Sequence, residues 1–124
     1  MTDTIADLLV RLNNGTLAGK ESVHVPYSRT KGAILAVLKE EGYIGEYKEE
    51  KDSGDFVVGL EGVKKSFIKM SRVSTPGRRV YIKSREIRRP KGYGTVVIST
   101  PKGILSGFKA RKVGVGGEVI CEVY

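Results

Sequence analysis

Residues 95–103 read T-V-V-I-S-T-P-K-G, and their first four positions are all branched at Cβ. Such side chains are stiff and suit the pleated surface of a strand. The run does not alternate polar with apolar, so it reads as a buried strand. Strand chemistry then stops. Ser99 and Thr100 are hydroxyls, Pro101 lacks a backbone donor, Lys102 is a cation and Gly103 is free to turn. The chain therefore presents small hydrogen-bonding groups and one positive charge at the end of a rigid base.

The first 70 residues carry a different pattern. Thr4-Ile5-Ala6-Asp7 has the form of a capping box, and Ile5, Leu8, Leu9 and Leu12 then recur on one helical face. Asn13-Asn14-Gly15 weakens that helix, which can run on to Ala18. Residues 22–26 alternate as a short strand that Pro26 stops, with His24 opposite Val23 and Val25. Ser28 caps a second helix, with Ala33, Ile34, Val37 and Leu38 inward, Lys31 and Lys39 in water, and Gly42 just past its end. Residues 43–50 and 55–61 read as a hairpin about the turn Asp52-Ser53-Gly54, and residues 66–70 as a third strand. This is an α+β order.

Residues 73–77 (V-S-T-P-G) interrupt the pattern. Pro76 and Gly77 suit positions i+1 and i+2 of a type II turn. Charge changes at the same place. Residues 1–70 hold 10 basic and 11 acidic groups, whereas residues 71–124 hold 12 basic groups against Glu86, Glu118 and Glu122. The reading is an α+β protein of two small domains. Residues 1–70 form an N-terminal helix and strand unit. Residues 71–124 form a basic, mostly antiparallel β unit with short helical turns: a basic strand at 78–83, a helical turn begun by Ser84, a basic helix or turn at 108–113, and a last strand at 118–124. Such charge asymmetry points to a polyanionic partner for the second half.

Several chemistries find no support. No apolar run reaches the roughly 20 residues of a membrane helix, and the acidic start M-T-D-T-I-A-D does not read as a signal peptide, so no membrane and a cytoplasmic location are expected. There is no P-loop. The glycines of G-V-G-G at 114–117 have the wrong spacing for a dinucleotide loop and lead into a strand. Cys121 is single, which excludes an intrachain disulfide and a cysteine cluster for a metal. It reads as a small buried residue. His24 has no carboxylate or nucleophile motif beside it, and Glu40-Glu41 and Glu49-Glu50 read as solvated charges. No enzyme activity, catalytic residue, metal or cofactor is expected.

RNA fits the remaining features. The minor groove of A-form RNA is wide and shallow and displays ribose 2′-hydroxyls. Serine and threonine both donate to and accept from a 2′-OH. Lys102, Lys109, Arg111 and Lys112 are placed to meet phosphates, and Tyr81 and Tyr93 to stack. Arg78 and Arg79 add charge to the same half. Arg11, Asn14, Arg29 and Lys31 are candidates for a second contact surface in the first half.

The C-terminal run I-S-T-P-K-G-I-L…A-R-K-V-G-V-G-G-E-V-I-C-E-V resembles the closing segment of the bacterial form of the eighth ribosomal protein of the small subunit. D-T-I-A-D-L-L-V-R-L-N-N, V-L-K-E-E-G-Y-I and S-T-P-G-R-R-V-Y fit the same family in order, so the resemblance spans essentially the whole chain. It implies direct binding to the central domain of small-subunit ribosomal RNA, support of subunit assembly, and contact with neighbouring small-subunit ribosomal proteins. It also implies a protein that is monomeric when free; the alternative is an RNA-binding translational regulator acting on messenger RNA, since family members also bind their own message. By the same resemblance, Ser99, Thr100, Pro101, Lys102 and Gly103 enter the RNA minor groove. Gly114, Val115, Gly116, Gly117 and Glu118 lie beside them, and Tyr81 contributes. The chain departs from the family's usual pattern at Pro101, where a third hydroxyl is common, at Thr4, where proline is common, and at Ser106-Gly107-Phe108, which replaces a more acidic stretch.

Overall fold

A computed structural model of the protein describes residues 3–124. The fold is α+β with two separate antiparallel sheets, and the chain divides into two compact units, Thr4–Ser66 and Phe67–Tyr124, the latter including Asp3.

In the first unit, helix α1 spans Thr4–Leu17, strand β1 Ser22–Pro26, helix α2 Arg29–Glu40, β2 Tyr47–Glu50 and β3 Asp55–Gly59. The sheet order is β1-β3-β2. Directly paired residues share a face, so Val25 opposite Phe56 and Val23 opposite Val58 define the inner side. Val25 and Val58 are fully buried together with Leu8, Leu12, Ile34, Leu35 and Leu38. His24, paired with Val57 on the other face, is exposed. The helical run survives Asn13-Asn14-Gly15 because Gly15 sits where α1 comes closest to the sheet. A Cβ there would lie 2.5 Å from Val23 Cγ1 and 2.8 Å from Leu60 Cδ1.

Helix α2 begins as expected, with the Ser28 hydroxyl accepting from the Lys31 N–H at 3.1 Å. It ends in a Schellman motif. Gly42, at φ 88°, donates to the Lys39 carbonyl, and Tyr43 donates to the Leu38 carbonyl, both at 3.0 Å. That motif explains why the following strand starts at Tyr47 and not at residue 43: Tyr43 and Ile44 are used as buried anchors of the helix end. Leu35 joins the buried face, although the helical pattern did not select it. Lys31 does not stay in water. It is only 4% exposed, its stem packs inward and its Nζ donates to the Pro26 carbonyl at 3.2 Å. The long aliphatic stem makes such burial tolerable once the ammonium has an acceptor.

In the second unit, β4 spans Met70–Arg72, β5 Tyr81–Ile82, β6 Thr95–Thr100, β7 Gly103–Ser106, helix α3 Gly107–Val113 and β8 Gly117–Val123, with a single 3₁₀ turn at Ser84–Glu86. The third strand expected at residues 66–70 is thus displaced. The strand forms at Met70–Arg72 and pairs with β8, not with the first sheet. Phe67 to Met70 accordingly belong to the second unit, where the sequence had drawn its boundary near residue 71. The basic stretch 78–83 is strand only at Tyr81–Ile82. Arg78 is spent closing the preceding turn by a two-way backbone pair with Thr75. Gly77 has no positive φ, so that turn is not type II. Ser84 starts the 3₁₀ turn and makes no capping bond.

The sheet runs β4-β8-β6-β7, with β5 also on β8. Register between β6 and β8 shifts after Val97: Val97 opposes Cys121 and Ile98 opposes Val119, leaving Ile120 as a bulge. Arg72 steadies that point, donating from Nη1 to the Ile120 carbonyl at 2.7 Å while its Nε pairs with Asp3 at 3.1 Å. Val97, Ile98, Cys121 and Val123 are fully buried. Burial, reinforced by Glu122 and opposed by Arg72, pushes the Cys121 thiol up to about 12.

Two outcomes follow for stability. Gly15→Ala, which would gain about 1 kcal/mol in a free helix, is expected to destabilise by about 1–2 kcal/mol here through overpacking against Val23 and Leu60, measured by denaturant unfolding. The raised Cys121 pKa means that the folded state holds a proton that the unfolded chain releases. Its contribution is therefore intact below about pH 9 and is lost as pH rises toward about 12. The alkaline fall in melting temperature should be smaller in Cys121→Ala than in the unmutated protein.

Candidate nucleic-acid interface

The 99–103 segment is a hairpin tip and not an open loop. Strands β6 and β7 pair from Val97 with Ser106 to Thr100 with Gly103, leaving Pro101 and Lys102 exposed at the turn. Proline excludes the positive φ that the commonest two-residue hairpin turns need at their first central residue. Gly103, at φ 104°, supplies the left-handed step instead. The Thr100 hydroxyl stitches this turn together, donating to the Gly103 carbonyl at 2.7 Å and accepting from the Lys102 N–H at 3.1 Å. Successive strand residues point to opposite faces, so Ser99 and Thr100 flank the tip from two sides. The half-buried Ser99 hydroxyl makes no hydrogen bond among the described residues. Of the two hydroxyls, Ser99 alone has its full bonding capacity available.

The glycine-rich turn lies against this tip. Gly114, at φ 76°, ends α3 in a second Schellman pattern: its N–H reaches the Arg111 carbonyl at 3.2 Å and that of Val115 the Ala110 carbonyl at 2.9 Å. The chain then enters β8 through a gap that admits no side chain. A Cβ on Gly117 would overlap the Ser99 carbonyl oxygen, and one on Gly116 would overlap the Ile82 carbonyl and lie 2.9 Å from the Ser84 N. As a result Glu118 pairs with Ser99 on one side and with Tyr81 on the other. Tyr81 is 70% exposed and shares a concavity with Lys83, Glu86, Gly114, Gly116 and Gly117. Arg79 closes on Glu118, Nη1 to Oε2 at 3.0 Å, so the Glu118 carboxylate is neutralised. The structure thus gathers Ser99, Gly117, Glu118 and Tyr81 within one register of three strands, with Gly116 leading into it and Arg79 joined through its ion pair with Glu118.

The other sequence candidates fall elsewhere. Arg78 is exposed in its turn, and Lys109, Arg111 and Lys112 project from α3, capped by the Ser106 hydroxyl accepting from the Lys109 N–H at 3.2 Å. Val115 is half-buried beneath the glycine turn, beside the cluster of Ile87, Ile98 and Ala110. Tyr93 is exposed. In the first unit, Arg11 pairs with Asp7 at 2.9 Å and donates to the His24 carbonyl at 3.2 Å; with Asn14, Lys20 and His24 it lines a shallow concavity. Arg29 is exposed, and Lys31, turned inward, offers no charge to the surface. Sequence reasoning passed over Arg85, Arg88 and Arg89. Their signal was the R-E-I-R-R run directly after the basic strand.

These features define a small basic α+β protein that displays hydrogen-bonding groups on an exposed hairpin. Comparison with known proteins gives the family. The profile of ribosomal protein S8 matches residues 3–124. The small ribosomal subunit protein uS8 of Kosmotoga olearia is 45% identical over 138 residues, covering 99% of this chain and 98% of that protein. Those of Leptospira biflexa and Moorella thermoacetica are 46% and 45% identical over 130 residues, each covering all of this chain and 98% and 100% of its relative. The chain belongs to the ribosomal protein S8 family.

Two substitutions test how the tip is built. Thr100→Val should cost about 1–2 kcal/mol of stability by removing two turn hydrogen bonds, whereas Ser99→Ala should change it by less than about 0.5 kcal/mol. Gly117→Ala should cost more than either, because a backbone atom and no flexible side chain is in the way. Thermal melts of the three variants check the order.

Proposed function

We propose that this chain is a structural protein of the small ribosomal subunit that binds directly to the central domain of small-subunit ribosomal RNA and supports assembly of the subunit. The observation that carries this reading is the exposed β6–β7 tip, with its unspent Ser99 hydroxyl, set against the glycine turn, with Tyr81 across β8 in the basic half of the chain. Family membership gives it the ribosomal setting. The wide minor groove of A-form RNA admits a hairpin tip and offers 2′-hydroxyls to a residue able both to donate and to accept. In this reading Ser99 bonds the ribose edge. Thr100 holds the turn and offers its remaining lone pair. Lys102 meets phosphate at the groove's rim, and Gly114 to Glu118 line the approach with Tyr81. The protein acts as a monomer before it joins the subunit in the cytoplasm, where neighbouring proteins of the subunit complete its surroundings.

The test is binding to a transcript of the central domain, with footprinting of that transcript. Ser99→Ala should lose about 1–3 kcal/mol of affinity, and Lys102→Ala should reduce the salt slope by about one unit. If both variants bind and protect the transcript like the unmutated protein, the tip is not the reading surface. Co-sedimentation with small subunits separates this role from a regulator acting on its own messenger RNA away from the ribosome.

A further inference from the structure

A second cationic face lies where residues 84–89 meet α3, and assigning it an RNA ligand rests on the RNA-binding reading above. Ile87 anchors the segment: it is 4% exposed and packs with Ala110 of α3 and Ile98 of β6. The anchor brings Arg88 to the carbonyl that Arg111 of α3 also reaches, and Arg85, whose own carbonyl accepts from Arg88, is exposed three residues before it. Arg111 Nη1 donates to the Ile87 carbonyl at 2.8 Å. Arg88 Nη1 donates to the same carbonyl at 3.2 Å and to the Arg85 carbonyl at 3.1 Å. One carbonyl oxygen therefore holds two guanidinium groups together. None of the three arginines has an ion-pair partner among the described residues, and Glu86, the acid of the segment, is exposed and unpaired.

Like charges gathered in this way repel, and a bound anion relieves the repulsion. Arg88 and Arg111 spend only Nη1 on the protein. The edge formed by Nε and Nη2, which takes a phosphate or carboxylate in two parallel bonds, makes no hydrogen bond in either residue. Phe108 stands one turn before Arg111 on α3 and is 66% exposed, in a helix with no acidic residue. An exposed ring three residues from Arg111 on the same helix matches a ligand that alternates planar rings with phosphates. A base face is offered by an unpaired nucleotide and not by a closed A-form helix. We propose that this face is a second RNA-binding surface, separate in chemistry from the hairpin tip. Arg85, Arg88 and Arg111 clasp the phosphodiester backbone of an unpaired strand or loop, and Phe108 stacks on one of its bases.

The test uses the full chain and a labelled oligoadenylate of about ten nucleotides, within the span of single-strand binding modules. The variants are the triple Arg85→Gln, Arg88→Gln, Arg111→Gln, in which glutamine retains an N–H for the Ile87 carbonyl, and Phe108→Ala. The triple variant should lower the salt slope by about two units, from three phosphates at about 0.7 each. Phe108→Ala should weaken binding about 5- to 100-fold. Ser99→Ala should leave oligoadenylate binding unchanged while weakening the central-domain transcript, so failure of the hairpin reading and failure of this one are told apart. Should the triple variant not fold, Arg88→Gln alone should remove about 0.7 of slope. An unchanged slope in the folded arginine variant, or unmutated affinity in Phe108→Ala, overturns the proposal. A variant that keeps its RNA slope but no longer binds polyglutamate overturns it in favour of an acidic protein partner.

Discussion

The candidate interface depends on a close approach between backbones. At Gly116 and Gly117 the chain slips between the Ile82–Ser84 segment and the end of β6 with no room for a Cβ on either side. That passage lets β8 run central to its sheet, with β6 on one edge and β4 and β5 on the other. It also sets the register that puts Glu118 between Ser99 and Tyr81. The two glycines therefore do geometric work for residues as distant in sequence as Tyr81, and any side chain at Gly117 would have to push the hairpin aside.

A second constraint acts at the tip. A turn containing proline cannot use the left-handed first position of a tight hairpin. The chain compensates with Gly103 and with the Thr100 hydroxyl, which takes two of the bonds that hold the turn. In the proposed reading, rigidity and recognition compete here for the same oxygen. A hydroxyl committed inside the protein is preorganised but has less to offer a ligand. The tip resolves the competition by giving the structural role to Thr100 and leaving Ser99, on the other face of the strand, unencumbered.

Much of this was legible in the residues. The unbroken β-branched run announced β6, and Ser28 and Gly42 marked both ends of α2, because these signals are local. The misreadings came from non-local causes. Lys31 is inward because the Pro26 carbonyl lies within its reach, which helical periodicity cannot register. Strand β4 belongs to the second sheet because its partner, β8, lies some 50 residues on; alternation tells a strand's faces but not its neighbour. At the candidate interface, the hydroxyls and cations are legible by type. The division of labour between Ser99 and Thr100 was not, since it depends on which face each occupies and on the exact turn. The gathering of Arg85, Arg88 and Arg111 was hidden for a similar reason. It follows from Ile87 meeting Ala110, a contact between segments more than 20 residues apart.

The place of β8 in its sheet has a consequence for how the protein is made. Every strand that β8 touches precedes it in the chain. As the polypeptide emerges from the tunnel during synthesis, the first unit has all of its strands and helices early and can close. The second has β4, β5, β6 and β7 waiting around a vacant central lane. The strand edges that β8 will pair are open to mispairing until β8 itself arrives and fills that lane. The surface that would read RNA is thus finished only once β8 has been made and has paired with strands that precede it.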